Sequence, residues 1–107
     1  MSYTLKCREL YFKRINPSNP LSIHKIAYTE LIDIANQEIK KVGIELFSCY
    51  FQEMQYRVDL WTAHILYERE DVSSEIKNDC LSIIKNYSIT RLNIDLAKEE
   101  ENWLRKI

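Results

Sequence analysis

The stretch Ile44–Arg69, IELFSCYFQEMQYRVDLWTAHILYER, decides how the rest of the chain is read. At about 100° per residue, Phe47, Phe51, Met54, Val58, Trp61 and Ile65 fall on one helical stripe. Leu46, Cys49, Tyr56, Leu60, Ala63 and Tyr67 extend it around an adjoining face, leaving Glu45, Ser48, Gln52, Gln55, Asp59, Thr62 and Arg69 as a narrow polar strip. A helix that is apolar over most of its circumference must be enclosed by its neighbours. The segment is therefore predicted as the central helix of an all-α domain.

Upstream, Ile23, Ala27, Leu31, Ile34, Ala35, Ile39 and Val42 predict a second helix over Pro20–Val42, with Asn19 as N-cap and Pro20 at its first position. Its stripe is out of phase with the one after Gly43 by roughly 130°. Gly43 is accordingly read as a stop followed by a reversal, not as a point inside one long helix. Tyr3, Cys7, Leu10, Tyr11 and Ile15 predict a first helix over Tyr3–Ile15, closed by Asn16-Pro17-Ser18-Asn19-Pro20. Downstream, Asp71 or Ser73 caps a fourth helix that buries Ile76, Cys80, Ile83, Ile84 and Tyr87. Asn93 caps a last helix, Ile94–Lys106, with Leu96, Ala97, Trp103, Leu104 and Ile107 on its apolar side. The expectation is one domain over residues 1–107, a bundle of about five helices with the third at its centre.

Composition agrees with that expectation. The chain has one Gly and two Pro in 107 residues, too few for the many turns of an all-β domain. Net charge is −1, unevenly spread: residues 1–57 carry 8 Lys/Arg against 6 Asp/Glu, and residues 58–107 carry 7 against 10. Lys6, Arg8, Lys13 and Arg14 interleave with Tyr3, Tyr11 and Phe12, but this basic footprint is small and no nucleic-acid partner is expected. No apolar run is long enough for a bilayer, and the start MSYTLK does not read as a secretory signal. An odd number of cysteines argues against a disulfide framework, so a cytoplasmic location without a membrane partner is expected.

The residues that could carry chemistry are few. Cys7, Cys49 and Cys80 fall on three different predicted helices beside apolar stripes, without paired ligand spacing, and read as buried thiols. His24 and His64 read as packed or partly exposed side chains. A single Gly leaves no room for a phosphate-binding loop, and there is no Gly-x-Ser-x-Gly turn. Most carboxylates read as solvated faces. Glu100 is the exception: it lies between Leu96 and Trp103 on the inward side of the last helix, and Arg91 or Arg57 is its expected partner. An enzyme would need a pocket lined by groups such as His64, Cys80 and Glu100. No catalytic residue, metal ligand or cofactor is assigned.

Trp61-Thr62-Ala63-His64-Ile65-Leu66, then Cys80–Ser88, then Ala97–Glu100 with Trp103 and Leu104, resemble small all-helical bacterial immunity proteins of contact-dependent inhibition and related polymorphic toxin systems. The resemblance covers a little under half of the chain and lies in its helix pattern. It implies a protein that binds and neutralises a cognate toxin domain, often a nuclease, without catalysis. The basic active site of a nuclease suits an acidic inhibitor surface. Charge placement alone then nominates Glu68, Glu70, Asp71, Glu75 and Asp79 as one contact patch, and Asp95, Glu99 and Glu101 as another. The alternative is a regulatory or adaptor protein that binds a different partner, as a homodimer for example, through an exposed apolar patch.

Overall fold

The computed structural model describes residues Met1–Ile107. It contains six α-helices and no strand: α1 (Tyr3–Phe12), α2 (Ile26–Val42), α3 (Ile44–Phe47), α4 (Val58–Tyr67), α5 (Ser74–Ser88) and α6 (Ile94–Lys106). Their inner faces share one cluster of buried apolar side chains. No helix is long and apolar enough to cross a membrane.

α4 is the central element. Every residue from Val58 to Leu66 is buried, so the helix has no wet face at all. Its three buried polar side chains each engage a different neighbour. The Tyr87 hydroxyl of α5 donates to Asp59 Oδ1 at 2.8 Å. Thr62 Oγ1 donates to Val58 O at 2.8 Å and lies 3.0 Å from Tyr3 Oη of α1. His64 Nε2 lies 2.5 Å from Glu100 Oε1 of α6. The narrow polar strip is thus turned inward at Asp59 and Thr62. An unpartnered polar group in such a core is costly, so these bonds hold α1, α5 and α6 in register on α4.

Asp59 also gives a pH signature. Burial raises its carboxyl above the usual range, against the pull of its hydrogen bonds with Tyr87 and the Leu60 amide. The folded chain therefore keeps this proton to higher pH than the unfolded chain, and stability falls as pH rises from the ordinary carboxylate value through the folded one. Asp59→Asn retains an acceptor oxygen and cannot titrate. In urea titrations between about pH 4 and pH 7 it should flatten that fall. An unchanged slope would show that Asp59 does not supply it.

The segment before α4 departs from the expected single helix over Ile44–Arg69. α3 lasts one turn, Ser48–Gln52 is a 3₁₀ turn, and Tyr56 and Arg57 take the left-handed conformation at φ 55° and 59° before α4 begins. Ser48-Cys49-Tyr50-Phe51 is a run of modest helix formers, and Ser48 Oγ donates to Glu45 O at 2.6 Å in competition with the ladder. Folding back lets Phe47 and Tyr50 pack with Tyr3, with ring centroids 4.9–5.3 Å apart. The cost falls on the outer face: Leu46, Cys49 and Met54 are exposed, so only Cys7 and Cys80 are the buried thiols expected.

Two further boundaries differ. α1 ends at Phe12, because Arg14 turns left-handed and the Ile15 amide bonds back to Leu10 O at 2.9 Å. That closure returns Ile15 to the core. α2 begins at Ile26 and not at Pro20. Asn19 does not cap it; its side chain accepts from the Leu21 amide at 2.9 Å, closing a local turn. Ile23, expected inside, is consequently exposed. The remaining signals hold: Gly43 ends α2 at φ 91°, and the Ser73 and Asn93 side chains cap α5 and α6 by accepting from Ile76 and Leu96 amides. Ile107, expected on the apolar side of α6, is exposed.

Candidate functional site

The loop Asn16–Asn19 lies across the N-terminal half of α6. Asn16 and Asn19 donate to the two oxygens of Glu99 at 3.0 and 2.9 Å, and Ser18 Oγ donates to Glu100 Oε1 at 2.8 Å. Arg57 Nη1 holds Asn16 Oδ1 at 2.7 Å and stacks over Tyr11, 5.0 Å from its ring centre. The left-handed Arg57 is thus placed against this loop and not against Glu100. The partner of Glu100 is His64, with Ser18 beside it, and its second oxygen Oε2 is buried without any partner.

Ser18, His64 and Glu100 are a serine, a histidine and a carboxylate in contact, which invites comparison with a nucleophilic triad. The geometry differs in one decisive respect. Ser18 Oγ and Glu100 Oε1 both meet the same ring nitrogen, Nε2, at 3.0 and 2.5 Å. A triad uses opposite ring nitrogens, so that the base takes the hydroxyl proton while the acid holds the other side. Here the hydroxyl donates to the carboxylate, and the histidine does not activate it. Cys80 makes no hydrogen bond with either group, and burial pushes the Cys7 and Cys80 thiols up to about 12, far from thiolate chemistry.

His64 also forms the floor of a cleft of about 590 Å³. Trp61, Trp103 and Tyr28 wall it, with Ile23, Ile32 and Ile65 between them and Asn36, Glu68 and Arg69 at its polar edge. Trp103 packs edge-on against His64 at 4.6 Å and against Tyr67 at 5.3 Å, and Tyr28 lies 5.6 Å from Trp61. Burial raises the Tyr28 hydroxyl, and the nearby Glu68 charge raises it further. Arg69 is ion-paired: Nε and Nη2 each bond Asp71 at 2.9 Å, and Nη1 bonds Asn36 at 3.1 Å, which uses three of its five N–H donors. That guanidinium holds Asp71 below the usual carboxylate range.

A comparison of this chain with family models, characterised proteins and solved structures finds no match. The site therefore has to be read from its own residues.

The eight acidic positions nominated from charge separate into two kinds. Glu68, Glu70, Glu75 and Asp79 are exposed, and their carboxylates make no hydrogen bond or ion pair within the chain. Asp71 is bound to Arg69, Glu101 is bound to Arg105 at 2.7 Å, and Glu99 is held by the loop asparagines. Asp95, free of partners, lines a separate polar cavity with Arg14, Arg57 and Asn93. The α4–α5 junction thus holds four of the five uncommitted carboxylates among them, the fifth being Asp95. The basic-aromatic N-terminal set also divides. Tyr3 and Lys6 turn inward, and Lys6 Nζ bonds Glu9 and Glu30 at 3.0 and 3.2 Å. Burial pulls the Lys6 ammonium down, but those two carboxylates outweigh it and the net shift is upward. Arg8 stays outside, over the Phe12 and Tyr56 rings.

Ser18, Tyr28 and Asn36 carried no functional signal in the sequence. The nearest cue was the stiff loop around Ser18, with two prolines within four residues.

Proposed function

We propose that this chain is a bacterial immunity protein that binds and neutralises a cognate toxin domain, a nuclease being the partner class its charge suits, and that it carries no catalysis of its own. The observation that carries the reading is the uncommitted acidic surface at the α4–α5 junction. Glu68, Glu70, Glu75 and Asp79 are exposed and unpaired, while Asp71 among them is tied to Arg69. Such a surface steers a basic partner into encounter and selects against acidic ones. The helix pattern from Trp61 onward supports the same reading. So does the arrangement of Ser18, His64 and Glu100, which holds a loop, α4 and α6 together without activating a nucleophile.

The test uses the toxin domain encoded in the reading frame next to this one. The wild-type chain should bind it and protect cells that express it. Reversing Glu70, Glu75 and Asp79 to lysine together should slow association by about tenfold or more at low salt, with dissociation less affected. No binding and no protection by the wild-type chain would overturn the proposal. A stable dimer that binds no toxin would instead favour an adaptor role, for which Ile89 and Leu92 in the α5–α6 connection and Ile94 at the start of α6 supply exposed apolar surface.

A further inference from the structure

We infer that the cleft between Trp61 and Trp103 receives a basic side chain of the partner protein, arginine in particular. The inference rests on the reading of this chain as a protein-binding protein. Its basis is the charge left available inside the cleft. Two half-buried aromatic side chains, Tyr28 and Trp103, line it with the edge of the buried Trp61 beside them, and aromatic faces attract cations. Glu68 stands at its edge with no partner in the chain, and its charge is felt by the Tyr28 hydroxyl. The one cation of the cleft, Arg69, is neutralised by a two-pronged bond to Asp71, and its remaining amino group is taken by Asn36. His64 on the floor is matched by Glu100, so the pair adds no net positive charge. An entering anion would meet a free carboxylate and a guanidinium whose charge Asp71 already balances. A cation would meet aromatic faces and that same carboxylate.

The dimensions and lining select further. A volume of about 590 Å³ lies within the range of about 300–1,000 Å³ typical of binding clefts. Ile23, Ile32 and Ile65 offer apolar surface to a methylene stem, and the planar head of arginine can stack on an indole while bonding a carboxylate with two N–H groups. The source is a protein side chain because the exposed Glu70, Glu75 and Asp79 follow Glu68 along the chain, and their charge attracts a basic segment to the α4–α5 junction that Glu68 begins.

The chain's two tryptophans both line the cleft, so intrinsic fluorescence reports on it directly. The full chain is titrated with the capped tripeptide Gly-Arg-Gly and with its citrulline counterpart, which has the same shape without the charge. The arginine peptide should give a saturable change, at least about fivefold tighter than the citrulline peptide. Glu68→Gln should weaken it by roughly fivefold to tenfold. Because Glu68 is exposed, its urea midpoint should stay at the wild-type value. Equal responses to the two peptides, no saturable response, or a Glu68→Gln chain that titrates like wild type would overturn the inference. With the toxin domain in hand, Glu68→Gln should raise its dissociation constant by a similar factor, and unchanged toxin affinity would overturn the assigned role. Arginine binding by a chain that binds no toxin would leave the cleft chemistry standing and remove the immunity reading.

Discussion

His64→Ala is expected to destabilise the chain by about 3–5 kcal/mol, measured by urea denaturation followed by far-UV circular dichroism. The reason is the residue it leaves behind. Glu100 has no exposed surface, and its Oε2 already lacks a partner. Removing the imidazole strands the carboxyl in the core with only the Ser18 hydroxyl to satisfy it. A simple cavity and a stranded polar group can be told apart by replacing both residues. His64→Leu with Glu100→Leu should lose much less than either substitution alone, because two apolar side chains can fill the space that the pair occupied. If the two losses simply add, His64 and Glu100 are not coupled and the contact between α4 and α6 rests on apolar packing.

Trp61→Ala is the second large effect, expected at about 3 kcal/mol. Trp61 is the largest side chain of the buried core, with 1 % of its surface exposed, and it packs against Tyr28 across the interface of α2 with α4. Truncation of a buried tryptophan ranges over about 3–5 kcal/mol. The lower end is expected because the space vacated opens into the neighbouring cleft instead of closing as a sealed void. The same change removes one aromatic wall, so arginine-peptide binding should fall along with stability. A stability loss below about 1 kcal/mol would mean that Trp61 contributes little to folding and is held there for a partner.

The legible parts of the fold were those governed by local rules. The caps at Ser73 and Asn93, the stop at Gly43 and the inner stripes of α2, α5 and α6 follow from side chains and backbone preferences within a few residues of each other. The central place of α4 was legible too, since a helix with so little polar surface has nowhere else to go. The break over Ser48–Arg57 was not. Periodicity carried the stripe from Phe47 through Met54 to Val58, yet the gain from gathering Phe47 and Tyr50 onto Tyr3 outweighs a few weak helical residues. The same limit applies to Asp59, Thr62 and Glu100. Asp59 and Thr62 read only as part of a polar strip and Glu100 as the partner of an arginine, but their partners lie on other helices.

By itself, then, the sequence determined an all-α chain built around a nearly all-apolar segment, with an acidic excess in its second half. Helix propensity, capping and net charge are properties of neighbouring residues, and they are written in order along the chain. Tertiary structure alone decided which carboxylates are free and which are spent. The Asp71–Arg69 bond, the loop bound to Glu99 and the burial of Glu100 against His64 leave Glu68, Glu70, Glu75 and Asp79, with Asp95 apart from them, as the uncommitted nominees. It also made the cleft, because Trp61, Trp103 and Tyr28 come from three helices that meet only once α4 is enclosed. Long-range side-chain pairing depends on distances in the folded chain, and those distances have no signature in residue order.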